Sequence, residues 1–232
     1  GRLIGITFLI PLLFFTVKLS FKKLINFYFI FFLICFQGFI GWYMVSSGLI
    51  DRVDVSHFRL SIHLVIAFVI LSLILWSFFN LTINYNINNN FIFYIIFIFL
   101  ILIFFQITIG AFVSGMDAGK IYNSWPLMGT TYFPNDNDFL NIFNFSAFSE
   151  PSLVQFIHRN LAYLICIFYL IILFNVYKKK FVNLYFAANL VGLMLVVQVS
   201  LGIFTLLYGA QIVLASMHQI SSIFLVSSTV YF

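Results

Sequence analysis

The sequence predicts an all-α polytopic membrane protein, and three observations predict it. Of its 232 residues, 63% are hydrophobic and only 7% are charged. A soluble domain of this size could not cover so much apolar surface, so lipid is the solvent. The apolar residues fall into seven runs, at about 3–17, 24–46, 60–79, 91–113, 153–177, 181–207 and 212–232. Most are near the ~20 residues that cross a bilayer as a helix. The short alternating strands of a membrane barrel are absent from the sequence pattern, which leaves helices to satisfy the backbone groups inside lipid.

Lysine sets the orientation of these elements. Lys18, Lys22 and Lys23 fill the turn between the first and second runs, and Lys178, Lys179 and Lys180 the turn between the fifth and sixth. Strict alternation puts both turns on one face, which the positive-inside rule makes cytoplasmic, or the matrix in a mitochondrion. The acids Asp51, Asp54, Asp117, Asp136, Asp138 and Glu150 all fall on the opposite face, as seven alternating spans require. The net charge of +5 is spread over helix ends and short loops, which argues against nucleic acid as a partner. Cys35 and Cys166 lie inside apolar runs and read as small buried hydrophobes, not as a disulfide or a cysteine metal site. No secretory leader with a cleavage site is visible. The chain opens on Gly1-Arg2 without Met and closes at Phe232 inside an apolar run, so it is expected to be a piece of a longer protein.

Three of the four histidines occupy matching places. His63, His158 and His218 each lie early in a run, the third, fifth and seventh, and these runs all point from the outer to the inner face. At ~1.5 Å per residue, an imidazole about five residues into a helix sits roughly 8 Å below its outer end. Ionisable residues inside a membrane span mark functional sites, and neutral imidazole is the common axial ligand of haem iron. The alternative is a set of buried histidines bonded to backbone carbonyls. His57 stands in the polar stretch after Asp54 and reads as a solvated interfacial residue.

The chain also repeats itself. Gln37-Gly38-Phe39-Ile40-Gly41 in the second run matches Gln198-Val199-Ser200-Leu201-Gly202 in the sixth, and Gln106-Ile107-Thr108-Ile109-Gly110 ends the fourth. Small residues there let helices approach closely. His63 follows Gly41 by 22 residues and His218 follows Gly202 by 16, the difference being a longer outer loop in the first half. Overlaying Ala162-Tyr163-Leu164-Ile165 on Gly1-Arg2-Leu3-Ile4 places a histidine four positions before Gly1. With the loop difference removed, its distance to His63 equals the 60 residues between His158 and His218.

The expected architecture is therefore two pseudo-repeated four-helix bundles, with seven of eight transmembrane helices present. Residues 1–79 form the amino-terminal half-bundle without its first helix, 80–90 a linker on the lysine side, and 91–232 the complete carboxy-terminal bundle. Each bundle would carry a histidine pair on its second and fourth helices. His158 and His218 form the complete pair, as two axial ligands on one iron.

Arg159 beside His158, and Arg59 four residues before His63, stand at the outer membrane edge, with Arg2 a similar position. They suit haem propionates, which arginine binds with two bonds, or they snorkel to the interface. Gln155 lies one turn before His158 on nearly the same face, placed to bond a haem edge or a neighbouring helix. The stretch from Gly115 to Met128 is less polar than an ordinary linker. It either folds over the outer mouth of the site or is an interfacial segment anchored by Trp125.

The ordered set of strings resembles the haem A synthase family, in the class lacking paired outer-loop cysteines. The strings are Gly1-Arg2-Leu3-Ile4-Gly5, Gln37-Gly38 with Gly41-Trp42-Tyr43-Met44-Val45, and Phe58-Arg59-Leu60 with His63-Leu64. They continue with Ala111-Phe112-Val113, Tyr122-Asn123, Trp125-Pro126-Leu127-Met128, Gln155-Phe156-Ile157-His158-Arg159 and Leu214-Ala215-Ser216-Met217-His218-Gln219.

The resemblance implies an oxidoreductase that converts the C8 methyl group of haem O to a formyl group, giving haem A for cytochrome oxidase. Two hydroxylations and loss of water from a hydrate are the implied course. It implies a resident haem b on His158 and His218, with Arg159 and Gln155 beside it. It implies the substrate haem on His63 and the upstream histidine, with Arg59 and Arg2 nearby. The family's catalytic glutamate precedes that upstream histidine, and Gln155 takes the equivalent place in this half; with half of the substrate site missing, the piece alone is expected to be inactive. The implied partners are haem O and the enzyme that supplies it, an electron donor such as a ferredoxin, cytochrome oxidase assembly machinery and a second copy of the chain. The implied location is a bacterial plasma membrane or a mitochondrial inner membrane. Two other readings compete: a di-haem cytochrome relaying electrons to or from quinone, and a transporter using the repeat for alternating access.

Overall fold

The computed structural model describes residues 2–48, 55–82 and 90–232. Asp51, Asp54 and residues 83–89 of the expected linker lie outside the described residues. Among the described residues, seven α-helices make the frame: α1 (Arg2–Lys18), α2 (Phe21–Gly48), α3 (His57–Thr82), α4 (Asn90–Gly115), α5 (Pro151–Lys178), α6 (Tyr185–Leu207) and α7 (Ile212–Tyr231). Each grows from one apolar run, and the found ends lie within a few residues of those expected. Pro151 opens α5, where its missing N–H costs nothing.

Among the described residues, six helices are long and apolar enough to cross a membrane. That is one fewer than the seven runs suggest. The exception is α1, whose 17 residues rise about 25 Å, short of the ~30 Å hydrocarbon core. Large side chains such as Phe97, Phe105, Phe174 and Leu193 point outward along the helices, as lipid-facing surfaces require. The protein is all-α and spans the membrane several times.

Packing follows chain order, with one long-range addition. α2 lies between α1 and α3, α4 between α3 and α5, and α6 against α5 and, most extensively, α7. α3 also packs on α7, where Phe79 meets Tyr231 edge to face at 5.2 Å. One apolar core joins α4, α5, α6 and α7, with Phe68 of α3 at its border. A smaller one, built on Ile30, Ile34 and Ile70, joins α1, α2 and α3.

Equivalent contacts recur in the two helix triplets α1–α2–α3 and α5–α6–α7. Thr16 and Tyr28 share a hydrogen bond of 2.8 Å between α1 and α2. At the positions 161 residues later, Tyr177 and Asn189 are bonded at 2.9 and 3.1 Å between α5 and α6. Phe8 stacks on Phe31 at 6.5 Å. At the corresponding positions the Tyr169 hydroxyl rests on Gly192, where a side chain would collide with it, and donates to the Ala188 carbonyl at 2.9 Å.

Candidate functional site

Each of the three span histidines stands six or seven residues into its helix, about 9–10 Å below the end opposite the lysine turns, called the outer end here. Each meets the same two residues of the helix before it. In the α2–α3 hairpin, the Gln37 amide nitrogen lies 3.4 Å from His63 Nε2 and donates to the His63 carbonyl at 2.8 Å. In the α4–α5 pair, the Gln106 amide lies 3.3 Å from His158 Nε2 and donates to the His158 carbonyl at 3.0 Å. In α6–α7, the Gln198 amide lies 3.4 Å from His218 Nε2.

One turn beyond each glutamine, a glycine forms the floor under the ring. A Cβ built on Gly41, Gly110 or Gly202 would stand 3.0, 3.1 or 3.0 Å from the Cε1 of His63, His158 or His218. The third copy differs in detail. The Ser221 hydroxyl stands within reach of both the His218 carbonyl, at 2.9 Å, and the Gln198 side-chain oxygen, and its single proton is shared between them. His218 Nδ1 lies 3.1 Å from the Gln198 backbone carbonyl. A ring N–H is the donor in that contact, so His218 carries its proton on Nδ1 and its lone pair on Nε2.

The outer loop between α4 and α5 folds back over these helix ends. It contains three 3-10 turns, Ala118–Lys120, Phe139–Phe143 and Phe145–Ser149, and buries Ala118, Met128 and Ala147 inside itself. Arg159 fastens it: Nη1 donates to the carbonyls of Ser124 (2.9 Å) and Leu127 (3.3 Å), and Nη2 to that of Tyr122 (3.0 Å). Buried Gln155 donates to the same Tyr122 carbonyl at 3.0 Å. Trp125 Nε1 donates to the Tyr163 hydroxyl at 2.9 Å, and the Tyr132 hydroxyl to Asn160 at 2.6 Å. Asn123 reaches the carbonyl of Leu206 at the end of α6. The stretch after Gly115 is therefore laid across the outer ends of α5 and α6.

The remaining basic residues are placed as follows. Arg59 lies over the ring of Tyr43 at 5.0 Å, one turn outside His63 on α3. Arg2, on α1, is exposed. His57 is not a solvated loop residue. It is the first residue of α3, half-buried, with its ring against Phe58 at 4.2 Å and Phe112 at 5.3 Å, and bonded to the Phe148 backbone. Gly115 at the end of α4 has no room for a side chain beside the His57 backbone, and this close approach draws the histidine inward.

Several buried polar atoms at these sites have no hydrogen-bond partner: His63 Nδ1 and Gln37 Oε1 in one half, and His158 Nδ1, Gln106 Oε1, Gln155 Oε1 and Arg159 Nε in the other. Orphans so concentrated call for a ligand. His158 and His218 lie within electrostatic range of one another, although α5 and α7 do not pack along their lengths. Among the described residues, no three His, Cys, Asp or Glu gather as a bare metal ion requires. A porphyrin supplies four ligands of its own and needs only two axial ones, so a pair of imidazoles fits haem iron.

The histidines and all three Gln-x-x-x-Gly strings are visible in the sequence. The pairing of Gln106 with His158, and glycine as the floor of an imidazole, emerge only from the packed helices. The signal was present: each Gln-x-x-x-Gly run immediately precedes a histidine run.

Residues 1–230 match the profile of COX15-CtaA, described as a cytochrome oxidase assembly protein. The chain belongs to the COX15-CtaA family. Among curated members, it is 46% identical over 236 residues to the heme A synthase of Pelagibacter ubique, covering 98% of this chain and 68% of that protein. It is 37% identical over 239 residues to the heme A synthase of Rickettsia bellii, covering 100% of this chain and 70% of that one. For the heme A synthase of Ehrlichia ruminantium the identity is 40%, with 100% and 66% covered. The chain thus spans about two thirds of the length of these COX15-CtaA relatives.

Proposed function

We propose that this chain is the membrane-embedded haem-binding part of a haem A synthase, which oxidises the C8 methyl group of haem O to a formyl group. The observation that carries the reading is the pair His158 and His218, each six or seven residues into α5 or α7 and so at one depth, in a chain 46% identical to a heme A synthase. The recurrent contacts of α1–α2–α3 and α5–α6–α7 support a duplicated four-helix plan. In it, residues 1–79 belong to the substrate half, 80–90 to the linker and 91–232 to the half with the resident haem.

In this reading His158 and His218 would hold a haem b through neutral imidazoles, and the group would supply a one-electron carrier. Arg159 keeps the loop in place through its Nη atoms and offers its unpartnered Nε–H to a propionate, with Gln155 Oε1 available to a second polar group. His63 holds haem O in the other half, with Arg59 one turn outside it and Arg2 on α1 facing the same end of the membrane. The loop fastened on α5 and α6 keeps water from the outer side of the resident haem. Conversion of a methyl to a formyl group removes four electrons from one carbon, which an oxidant must accept; with dioxygen as that oxidant, each hydroxylation also draws two electrons from a donor, for which a ferredoxin is the class proposed. The enzyme that makes haem O, the cytochrome oxidase assembly machinery and a second copy of the chain complete the proposed partners.

The test is haem extraction from cells that make haem O and express the full-length protein. A formyl haem appears with the wild-type protein and is absent with His158→Ala or His63→Ala. Bound haem with an unchanged haem O pool would instead mark an electron relay.

A further inference from the structure

We propose that Gln106 with Gly110, and Gln198 with Gly202, are positioning residues for His158 and His218, and that Gln37 with Gly41 does the same for His63. The inference rests on the reading of these histidines as haem ligands and assigns the residues that aim them. An imidazole on a helix turns about two side-chain torsions, and an iron–nitrogen bond tolerates little error in where the ring points. Partners that fix ring orientation are a regular part of metal sites built on histidine.

Two observations point to aiming rather than to plain helix packing. The first is recurrence. The same glutamine-to-imidazole contact of 3.3–3.4 Å forms across sequence separations of 26, 52 and 20 residues, so connections of very different length converge on one geometry. In the two copies where the amide donates to the histidine's own carbonyl, it ties the histidine backbone to the neighbouring helix and so fixes where the ring starts from, leaving the Nε2 lone pair to the metal. In the third, Ser221 shares its proton between that carbonyl and the glutamine, while the Gln198 backbone orients Nδ1.

The second is the selectivity of the glycines. α2 holds both Gly38 and Gly41; a Cβ at Gly38 would meet nothing within 4 Å, whereas one at Gly41 would press on the His63 ring. Within α2, glycine has a steric reason only where the imidazole lies on it.

The test uses the full-length protein purified in detergent, with paramagnetic resonance of the oxidised haem and haem retention as readouts. Gln106→Met keeps the volume and removes the hydrogen bond to the His158 carbonyl, and Gly110→Ala pushes the ring by one methyl group. Each is expected to shift the largest g-value of the low-spin signal and to weaken haem retention by about 10–100-fold. Gly38→Ala should change neither. Gly110→Ala reports on the same ring should Gln106→Met not accumulate as folded protein. In the other half, Gly41→Ala against Gly38→Ala is read as haem O affinity. If Gln106→Met and Gly110→Ala keep the wild-type g-value and retention while His158→Ala loses the haem, the positioning role is refuted and the ligand reading stands. If His158→Ala also keeps the signal unchanged, the ligand reading itself falls.

Discussion

Replacing Arg159 by Met is expected to release the outer loop while leaving α5 intact. The guanidinium makes three bonds to loop carbonyls, at 2.9, 3.0 and 3.3 Å. Not all count fully. The Tyr122 carbonyl keeps the Gln155 amide, and the Leu127 carbonyl keeps the Ser124 hydroxyl at 2.9 Å. Hydrogen bonds from a charged donor contribute roughly 1.5–3 kcal/mol each. One full bond to Ser124 and part of the other two then amount to about 3 kcal/mol. At ~1.4 kcal/mol per factor of ten, the open loop becomes about 100-fold more populated. Hydrogen exchange of the peptide covering residues 118–128 in the full-length protein reads this directly, with the middle of α5 as the internal reference. Equal acceleration in both regions would mean that Arg159 supports the helix bundle generally. No acceleration in the loop would refute the clamp.

Gly192→Ala drives a methyl group into the Tyr169 hydroxyl and should destabilise the α5–α6 contact by about 1–3 kcal/mol; thermal unfolding in detergent measures it, and the double variant with Tyr169→Phe should recover part of the loss, since the ring carbon behind the hydroxyl still crowds the methyl. Burial, then the bond to Asp136 and that carboxylate's charge, push the Tyr122 phenol above its ordinary value of 10. The folded form therefore holds this proton more tightly, and the loop's stability is intact below pH 10 and falls as pH rises through the raised value. Tyr122→Phe should remove one late phenol from the alkaline absorbance titration and flatten that limb, and superimposable curves would contradict the assignment. Single cysteines placed at Asp136 and Lys179 in a Cys35→Ser, Cys166→Ser background should react with an impermeant thiol reagent from opposite sides of the membrane, and labelling from one side would overturn the span order.

Helices were legible in the sequence because lipid imposes the simplest of rules: a run of apolar residues long enough to span must be helical. Even the ends came close, since Lys18 and Lys178 close α1 and α5. The matched depth of His63, His158 and His218 was legible for the same reason, as helix rise converts residue number into depth. What stayed hidden depends on contacts between distant segments. Arg159 reads as a propionate partner or a snorkelling cation, and the sequence has no periodicity from which its bonds to loop carbonyls some 30 residues earlier could be found. His57 reads as solvated because its neighbours are polar, yet Gly115, far along the chain, lets α4 close over it. The packing of α3 on α7 likewise has no local signal.

The most direct test of the whole account is the visible and paramagnetic resonance spectrum of the purified full-length protein beside its His158→Ala and His218→Ala variants. The account predicts a low-spin haem with two imidazole ligands that disappears in each single variant. Retention of the wild-type spectrum in both would contradict it.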